Sequence, residues 1–446
     1  MRSLVMTYRT GGRRSRPLRV AALAAAAFLA LSGCGSTEND GEREPSGPPT
    51  VLRVPDGYPS IQQAVDVARP GDVVLISSGV YHESVTVSRP RVVLRGADRD
   101  KTVIDGEFRR ANGITVTGAA SVVENLTVRN HLANGVLFTG VTDERLQAGA
   151  GGSDSYDPLD TVKFPPLKGF RASYVTAYNN ALYGIYAFDA RSGVIEHSYA
   201  SGQSDSGIYV GQCDPCDTVV RHNTLEHNAI GIEVTNASRD LYFLANTAHR
   251  NRVGLTINSN NLEALGPQHE AVVIGNTITD NNDDRSPEQA DGGFGIGIGI
   301  GGGTRNRVER NRIDGHRVAA LVLRDVQGYP VRGNSIRDNA VGGGTGFVLA
   351  AARTGGNCFT GGGPAPTSPR SLPSAVTSCP GRDVPLSAPG TTAQVAVPPG
   401  VSFKQVAAPP PQRQMPGART AAARPATGLP GPVDLARYRL PAPSSS

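Results

Sequence analysis

Aromatic, carboxyl and amide side chains, types able to bind or transform sugars, fall into columns when the chain is laid out in units of about 23 residues. Two positions after a recurring glycine, the column reads Tyr186, Tyr209, Glu233 and Thr256. Five after, it reads Asp189, Gln212, Asn236 and Ser259; two before, it reads Leu182, Asp205, Ala229 and Arg252. Tyrosine rings stack on sugar faces, while carboxylates and amides bond hydroxyls. Asp189 or Asp205 opposite Glu233 has the residue types for glycoside hydrolysis. Tyr186 or Tyr209 as base, with Lys168 as cation, has those for lyase or epimerase chemistry on a uronate. The insertion at 142–168, which carries Lys163 and Lys168, is placed to wall a groove. The same columns also suit the plain outside of a repeat protein, so enzyme, binding protein and scaffold all stay open.

Other chemistry-bearing residues are less directive. Cys213, Cys216, Cys358 and Cys379 make an even set for an exported chain, and two disulfides, most simply 213–216 and 358–379, are expected. A zinc site at Cys213-x-x-Cys216 lacks two further ligands at suitable spacing, and a redox motif lacks its helix. Asp280–Asp284 has calcium-binding residue types without ordered ligand spacing and reads as a solvated turn. No metal or cofactor is called for. The histidines share no ligand spacing. Gly292–Gly303 lacks the Lys-Ser/Thr ending of a phosphate loop.

The elements that must position these groups are read from a repeat. Gly, apolar, any, apolar recurs from Gly113, Gly135, Gly184, Gly207, Gly231, Gly254, Gly295, Ala320 and Gly346. Between these copies runs Asn, any, apolar, any, any, Asn, as in Asn223–Asn228, Asn246–Asn251, Asn276–Asn281 and Asn334–Asn339. Each unit thus holds two or three short strands with turns between them. One unit cannot bury its own apolar face, but stacked units can. Ile185, Ile208, Ile232 and Leu255 form one inward column, and Ala187, Val210, Val234 and Ile257 the next. The asparagines are expected to take left-handed turn conformations and to bond their counterparts one coil away. This is an all-β, parallel β-helix pattern, spanning 51–360. Ser60-Ile-Gln-Gln63 predicts a short capping helix at its open N-terminal end.

The chain ends read differently. Residues 1–33 hold six arginines and no acid, followed by the apolar run Val20–Leu31 and then Leu31-Ser-Gly-Cys34. This is a lipoprotein signal peptide with Cys34 as the lipidated residue, and 34–50 is a flexible tether. The net charge falls from +5 to −1 without residues 1–33, so a nucleic-acid partner has no electrostatic support. Residues 361–446 carry 18 of the 33 prolines and read as a disulfide-closed loop to about 380, then a Pro/Ala-rich disordered tail.

Val54-Pro-Asp-Gly-Tyr-Pro-Ser-Ile-Gln-Gln-Ala64, Gly71-Asp-Val-Val-Leu and Gly79-Val-Tyr-His-Glu83 resemble the start of right-handed parallel β-helix, pectin-lyase-like proteins. Tyr183-Gly-Ile-Tyr186, Ser204–Gln212 and Gly231-Ile-Glu-Val carry the similarity to bacterial β-helix lipoproteins of that kind. The resemblance covers roughly 50–380. It implies a right-handed solenoid on the extracytoplasmic face of a membrane, held by its lipid alone, monomeric, with a polysaccharide or another envelope protein as partner. Asp214-Pro-Cys-Asp217 is similar to the Asp-Pro-His-Asp motif of alginate C-5 epimerases. Cys216 replaces its histidine, which removes a central catalytic group.

Overall fold

A computed structural model describes residues 50–143, 160–289, 293–363, 365–420 and 429–443. The expected signal peptide, Cys34 and, apart from Thr50, the expected tether lie outside them. The described chain winds into a right-handed parallel β-helix of three sheets, with 12, 11 and 10 strands. In one coil, Thr218–Arg221 enters the first sheet, Thr224–Glu226 the third and Ile230–Ala237 the second. Strands pair in parallel with the same sheet of the next coil, so Tyr186, Tyr209, Glu233 and Thr256 are true neighbours.

Apolar side chains drive this winding. Ile185, Ile208, Ile232 and Leu255 are buried in the interior, as are Ala187, Val210, Val234 and Ile257. The repeat glycine is needed for close approach. A Cβ on Gly207 would stand 2.8 Å from the Gly231 carbonyl oxygen and 3.0 Å from Asn228 Nδ2. One copy of the repeat is displaced from its expected place. Leu255 pairs with Ile298, so the counterpart of Gly254 is Gly297 and not Gly295.

Asparagine ladders line the turns. Asn223, Asn246, Asn276 and Asn311 each pass an Nδ2–H to the Oδ1 of the next, ending at Asn339, at 2.9–3.0 Å. Asn228, Asn251 and Asn281 form a second ladder, and Asn306, Asn334 and Asn357 a third. The left-handed residue is usually the one before the asparagine, as at His222, Ala245 and Arg310 (φ 51–54°). The asparagine itself points inward, where its amide bonds the next asparagine and a backbone carbonyl.

The helix Ile61–Val67 caps the first coil, with Ile61, Ala64 and Val65 buried. Ser60 accepts from Gln63 N, and the Glu83 carboxylate takes the Ile61 and Gln62 amides at 3.0 Å each. The second of these bonds comes from the following coil, not from within a local capping box.

The tail is not disordered where it is described. It leaves the C-terminal coils and runs back along the rod. Pro398 O accepts from Arg252, Val406 O from Asn179 and Thr420 O from Arg95, while Met415 N donates to Asn125. A second arm then returns, with Leu435 O and Tyr438 O held by Arg310 and Pro441 O by Arg312. Proline-rich backbone has few amides to offer a sheet. Its carbonyls are taken instead by arginines and asparagines of the rod, a long-range match that composition does not display.

Candidate functional site

Three excursions of the chain converge on the outer side of the second sheet. The first departs after Val136–Thr139 and rejoins at Leu167. The stretch 260–290 supplies the other two. One follows Val253–Asn258, and the other lies between Thr277–Thr279 and Ile296–Gly301. They deliver Phe164, Glu263 and Gln289 respectively onto the strands that carry Tyr186, Tyr209 and Glu233.

The floor is aromatic. Tyr183, Tyr186 and Tyr209 have ring centroids 4.5, 4.7 and 4.9 Å apart, and Phe188 lies 5.4 Å from Tyr186. Leu137, Val141 and Phe164 complete the cluster. Tyr186 and Tyr209 are only 4% and 3% exposed. Both point out of the solenoid as expected, but onto the excursions and not into solvent. In the same outward column Glu233 and Thr256 are half-buried, while Thr115, Val322 and Val348 in other coils are buried.

Carboxyl groups crowd the partly exposed rim. Ser206 Oγ lies 3.1 Å from Asp205 Oδ1 and contacts Glu233 Oε2. A hydroxyl has one proton to give, so the two carboxyls compete for it. Gln289 Nε2 donates to Asp205 Oδ1 at 2.8 Å. Tyr209 OH donates to Glu263 Oε1. Burial, reinforced by Asp205, holds Glu233 well above the usual carboxylate range. Burial also pushes Glu263 up to about 8. The Tyr209 phenol is raised by burial and by the charge of Glu263, so Tyr209 is a hydrogen-bond donor and not the base the sequence suggested.

Not every expected residue joins this cluster. Gln212 Oε1 accepts from Ala264 N at 3.0 Å; Asn236 Nδ2 donates to Asn260 O at 2.7 Å and Glu263 O at 2.8 Å. These two amides anchor the excursion that carries Glu263. Asp189 is 0% exposed, sealed beneath Gly140 and Pro165, and burial pushes its carboxyl up to about 7. Lys168 stands exposed in the first sheet, paired in register with Arg191 of the next coil. It is on a different sheet from the carboxyl rim and cannot serve there as the counter-ion. Lys163 lies 4.9 Å from the Phe164 ring centroid.

Tyr183, Ser206, Glu263 and Gln289 were not singled out from the sequence. Glu263 and Gln289 sit in excursions, where the repeat offers no register. Ser206 was recoverable, since it adjoins Asp205 and precedes Gly207. A second titratable cluster also escaped notice. Glu226 accepts from Tyr199 OH at 2.6 Å and lies 3.3 Å from His249 Nε2, and Asp283 meets His227 Nδ1 at 2.8 Å. Asp283, read as part of a solvated turn, thus has a histidine partner.

The disulfides Cys213–Cys216 and Cys358–Cys379 are both formed. Cys216 is therefore not a proton carrier, and Asp214 pairs with Arg239 and His269. Among the described residues, no group of three or more His, Cys, Asp or Glu is arranged to hold a metal, and no helix is long and apolar enough to cross a membrane.

A family profile described as a right-handed β-helix region matches residues 112–266. No curated protein matches the chain. Among solved structures, it is similar to the enzymatically active domain of bacteriophage CBA120 tailspike protein 2, at 12% identity and a TM-score of 0.47. That match covers 67% of this chain and 44% of the tailspike chain, so less than half of the latter is represented. The A-module of a mannuronan C-5 epimerase from Azotobacter vinelandii is 16% identical, with a TM-score of 0.46, covering 69% of this chain and 87% of the other. The pectate lyase Pel9A is 14% identical, with a TM-score of 0.38, covering 68% and 71%. The three stacked parallel sheets and the family profile define a right-handed parallel β-helix, and the chemistry rests on the residues themselves.

Proposed function

We propose that this chain is an exported, lipid-anchored protein of the cell envelope that binds polysaccharide and cleaves it at the Asp205–Glu233 pair. The observation that supports this reading is the pair itself, two carboxyls bridged by Ser206 Oγ beside a tyrosine floor. Burying neighbouring carboxyls costs stability, and perturbed acids of this kind concentrate where chemistry is done. In the proposed reaction, protonated Glu233 gives its proton to the glycosidic oxygen as the bond to the anomeric carbon breaks. The Asp205 carboxylate bonds that carbon. Water, losing a proton to Glu233, then displaces Asp205 and restores both groups. One hydroxyl spans the pair, whereas inversion needs carboxyls about 6.5–9.5 Å apart to admit water. The retaining course is therefore the one proposed, and it requires the pair to part to about 5–5.5 Å when the sugar enters.

The test is a glycan screen of the full-length protein with product analysis. Wild type is expected to release oligosaccharide from at least one polymer, while Glu233→Gln and Asp205→Asn are expected to bind without cleaving. Equal cleavage by all three removes the pair from the chemistry. Membrane attachment has its own test: Cys34→Ser should free the protein from membranes or block its processing. One observation favours a second reading, a non-catalytic scaffold or maturation factor for another envelope protein. Tyr186 and Tyr209 pack under the excursions and do not face an open groove. Absence of binding to any polysaccharide would select it.

A further inference from the structure

The carboxyl rim is closed, and the way it is held closed carries an inference that rests on the glycan reading above. Asp205 Oδ1 has Gln289 Nε2 at 2.8 Å and Ser206 Oγ at 3.1 Å. An oxygen so engaged is not offered to an anomeric carbon. Gln289 comes from the excursion between Thr277–Thr279 and Ile296–Gly301, so that excursion must shift before a polymer enters.

The excursions differ in what holds them. The one that carries Glu263 is tied to the rod, through Gln212, Asn236 and Ser259, whose Oγ accepts from Gln268 N at 3.0 Å. The one that carries Gln289 is tied to the rod at its base. There Asp283 meets His227 Nδ1 at 2.8 Å, and Ser286 Oγ donates to Arg250 O at 3.0 Å. Beyond that base the tail holds it. Val401 N donates to Ser286 O at 3.2 Å and Gly400 N to Glu288 Oε2 at 3.3 Å. Gly400 lies flat on the excursion, since a Cβ there would stand 2.6 Å from Glu288 N and 2.7 Å from Glu288 Cβ. Two residues earlier, Pro398 O accepts from Arg252 Nη2 at 2.7 Å. Pro398 and Pro399 have no amide, so this segment cannot lengthen its grip into a sheet ladder.

The grip is also incomplete. Arg252 is 1% exposed, yet its Nε and Nη1 have no partner among the described residues. The Phe294 ring centroid, 5.0 Å away, and the carboxylates of Asp283, Asp284 and Glu288 ease its charge without filling those two positions. A buried guanidinium served this poorly raises the energy of the closed form. Segments that open are drawn from the weakly held parts of a fold.

We infer that residues 398–401 are an autoinhibitory strap, which clamps residues 283–289 over Asp205 and admits the polymer when it lifts. The link runs from Arg252 and Gly400, through Ser286 and Glu288, to Gln289 and Asp205.

The experiment lifts the strap in the full-length protein without altering the rim. Gly400→Leu drives a side chain into Glu288, and Val401→Pro removes the amide that meets Ser286 O. Arg312→Ala, which frees Pro441 O in the returning arm, is the control. Folding is checked by circular dichroism, and if one strap variant unfolds the other decides. Carbodiimide labelling of Asp205, read by mass spectrometry, reports access and needs no glycan. Oligosaccharide release from the polymer found in the screen reports function. Both strap variants are expected to be labelled at Asp205 and to cleave at least fivefold faster than wild type, with Arg312→Ala equal to wild type. Folded strap variants labelled no faster than wild type overturn the inference and leave the glycan reading standing. Faster labelling without faster cleavage, where wild type cleaves, overturns it too. Unfolding of both variants makes the segment part of the fold's stability and also overturns it. Faster labelling in a protein that cleaves no polymer in any form takes the glycan reading down and still supports the strap as the gate over Asp205.

Discussion

The asparagine ladders and the carboxyl rim both bury polar side chains in this rod, on opposite terms. In a ladder, Asn246 Nδ2 donates to Asn276 Oδ1 at 3.0 Å and to Val220 O at 2.9 Å, while its Oδ1 accepts Asn223 N and Nδ2. Each amide is satisfied and none is charged. At the rim, Asp205 and Glu233 share Ser206, and Glu263 Oε2 finds no partner among the described residues. A satisfied network is stable and inert, whereas carboxyls that raise one another hold protons ready for transfer. The buried Arg95–Glu124 pair, 2.6 Å apart, shows that this chain pairs a buried acid with a cation elsewhere.

The sharpest way to break this contrast is at the ladder. Asn246→Leu strands Asn223 N, removes the side-chain bond to Val220 O and takes one of two partners from Asn223 Nδ2 and from Asn276 Oδ1, and is expected to cost about 3 kcal/mol in chemical denaturation. The protein that remains folded should bind glycan as wild type does. Ile208→Asp, a carboxylate in the dry interior, belongs to the same scale. Next comes the floor. From its outward direction alone, Tyr209→Ser would be mild. Buried against Tyr183 and Tyr186, it should cost about 3 kcal/mol and also abolish binding, as melting and titration together will show.

The rim predicts the reverse coupling. Glu233→Gln removes a raised acid, so stability at neutral pH should rise by about 1 kcal/mol while binding weakens by more than about 1 kcal/mol. A loss of stability in that variant would move Glu233 to the structural side of the comparison. Glu263 adds a pH test. Its folded pKa of about 8 lies above the ordinary 4.5, so the folded state holds the proton more tightly. Its contribution is complete below the unfolded value and lost as pH rises through the folded one. Wild type should therefore lose stability between pH 5 and about 8, and Glu263→Gln should flatten that fall by about 1–2 kcal/mol in parallel denaturation series. The smallest effect is expected at Val322→Ala, with under about 1.5 kcal/mol of destabilisation and no change in binding.

Much of the rod was legible because its signal repeats. Period-two burial and a glycine every 23 or so residues select a stacked coil, and the inward columns follow. The one slip in register came at Gly295–Gly301, where glycine and isoleucine alternate three times and a shift by two residues leaves the pattern unchanged. The tyrosine–carboxyl column was legible as a column, including Tyr186, Tyr209, Asp205 and Glu233. Its environment was not, because exposure of an outward side chain depends on what else lies over it.

By itself, then, the sequence determined the solenoid, its inward face, the two disulfide pairs and the asparagine stacks. Each is set by residues near one another in the chain or one period apart, and periodic contacts carry their own register. Only the tertiary structure decided that Glu263 and Gln289 reach the rim, that Lys168 belongs to another sheet, that Gln212 and Asn236 serve as anchors and that the proline-rich tail straps the rod. These contacts join segments that share no period, some as much as 325 residues apart between Arg95 and Thr420. They form because excursions and tail find unsatisfied donors and apolar surface on a rod already built, and that surface exists only once the coils have stacked.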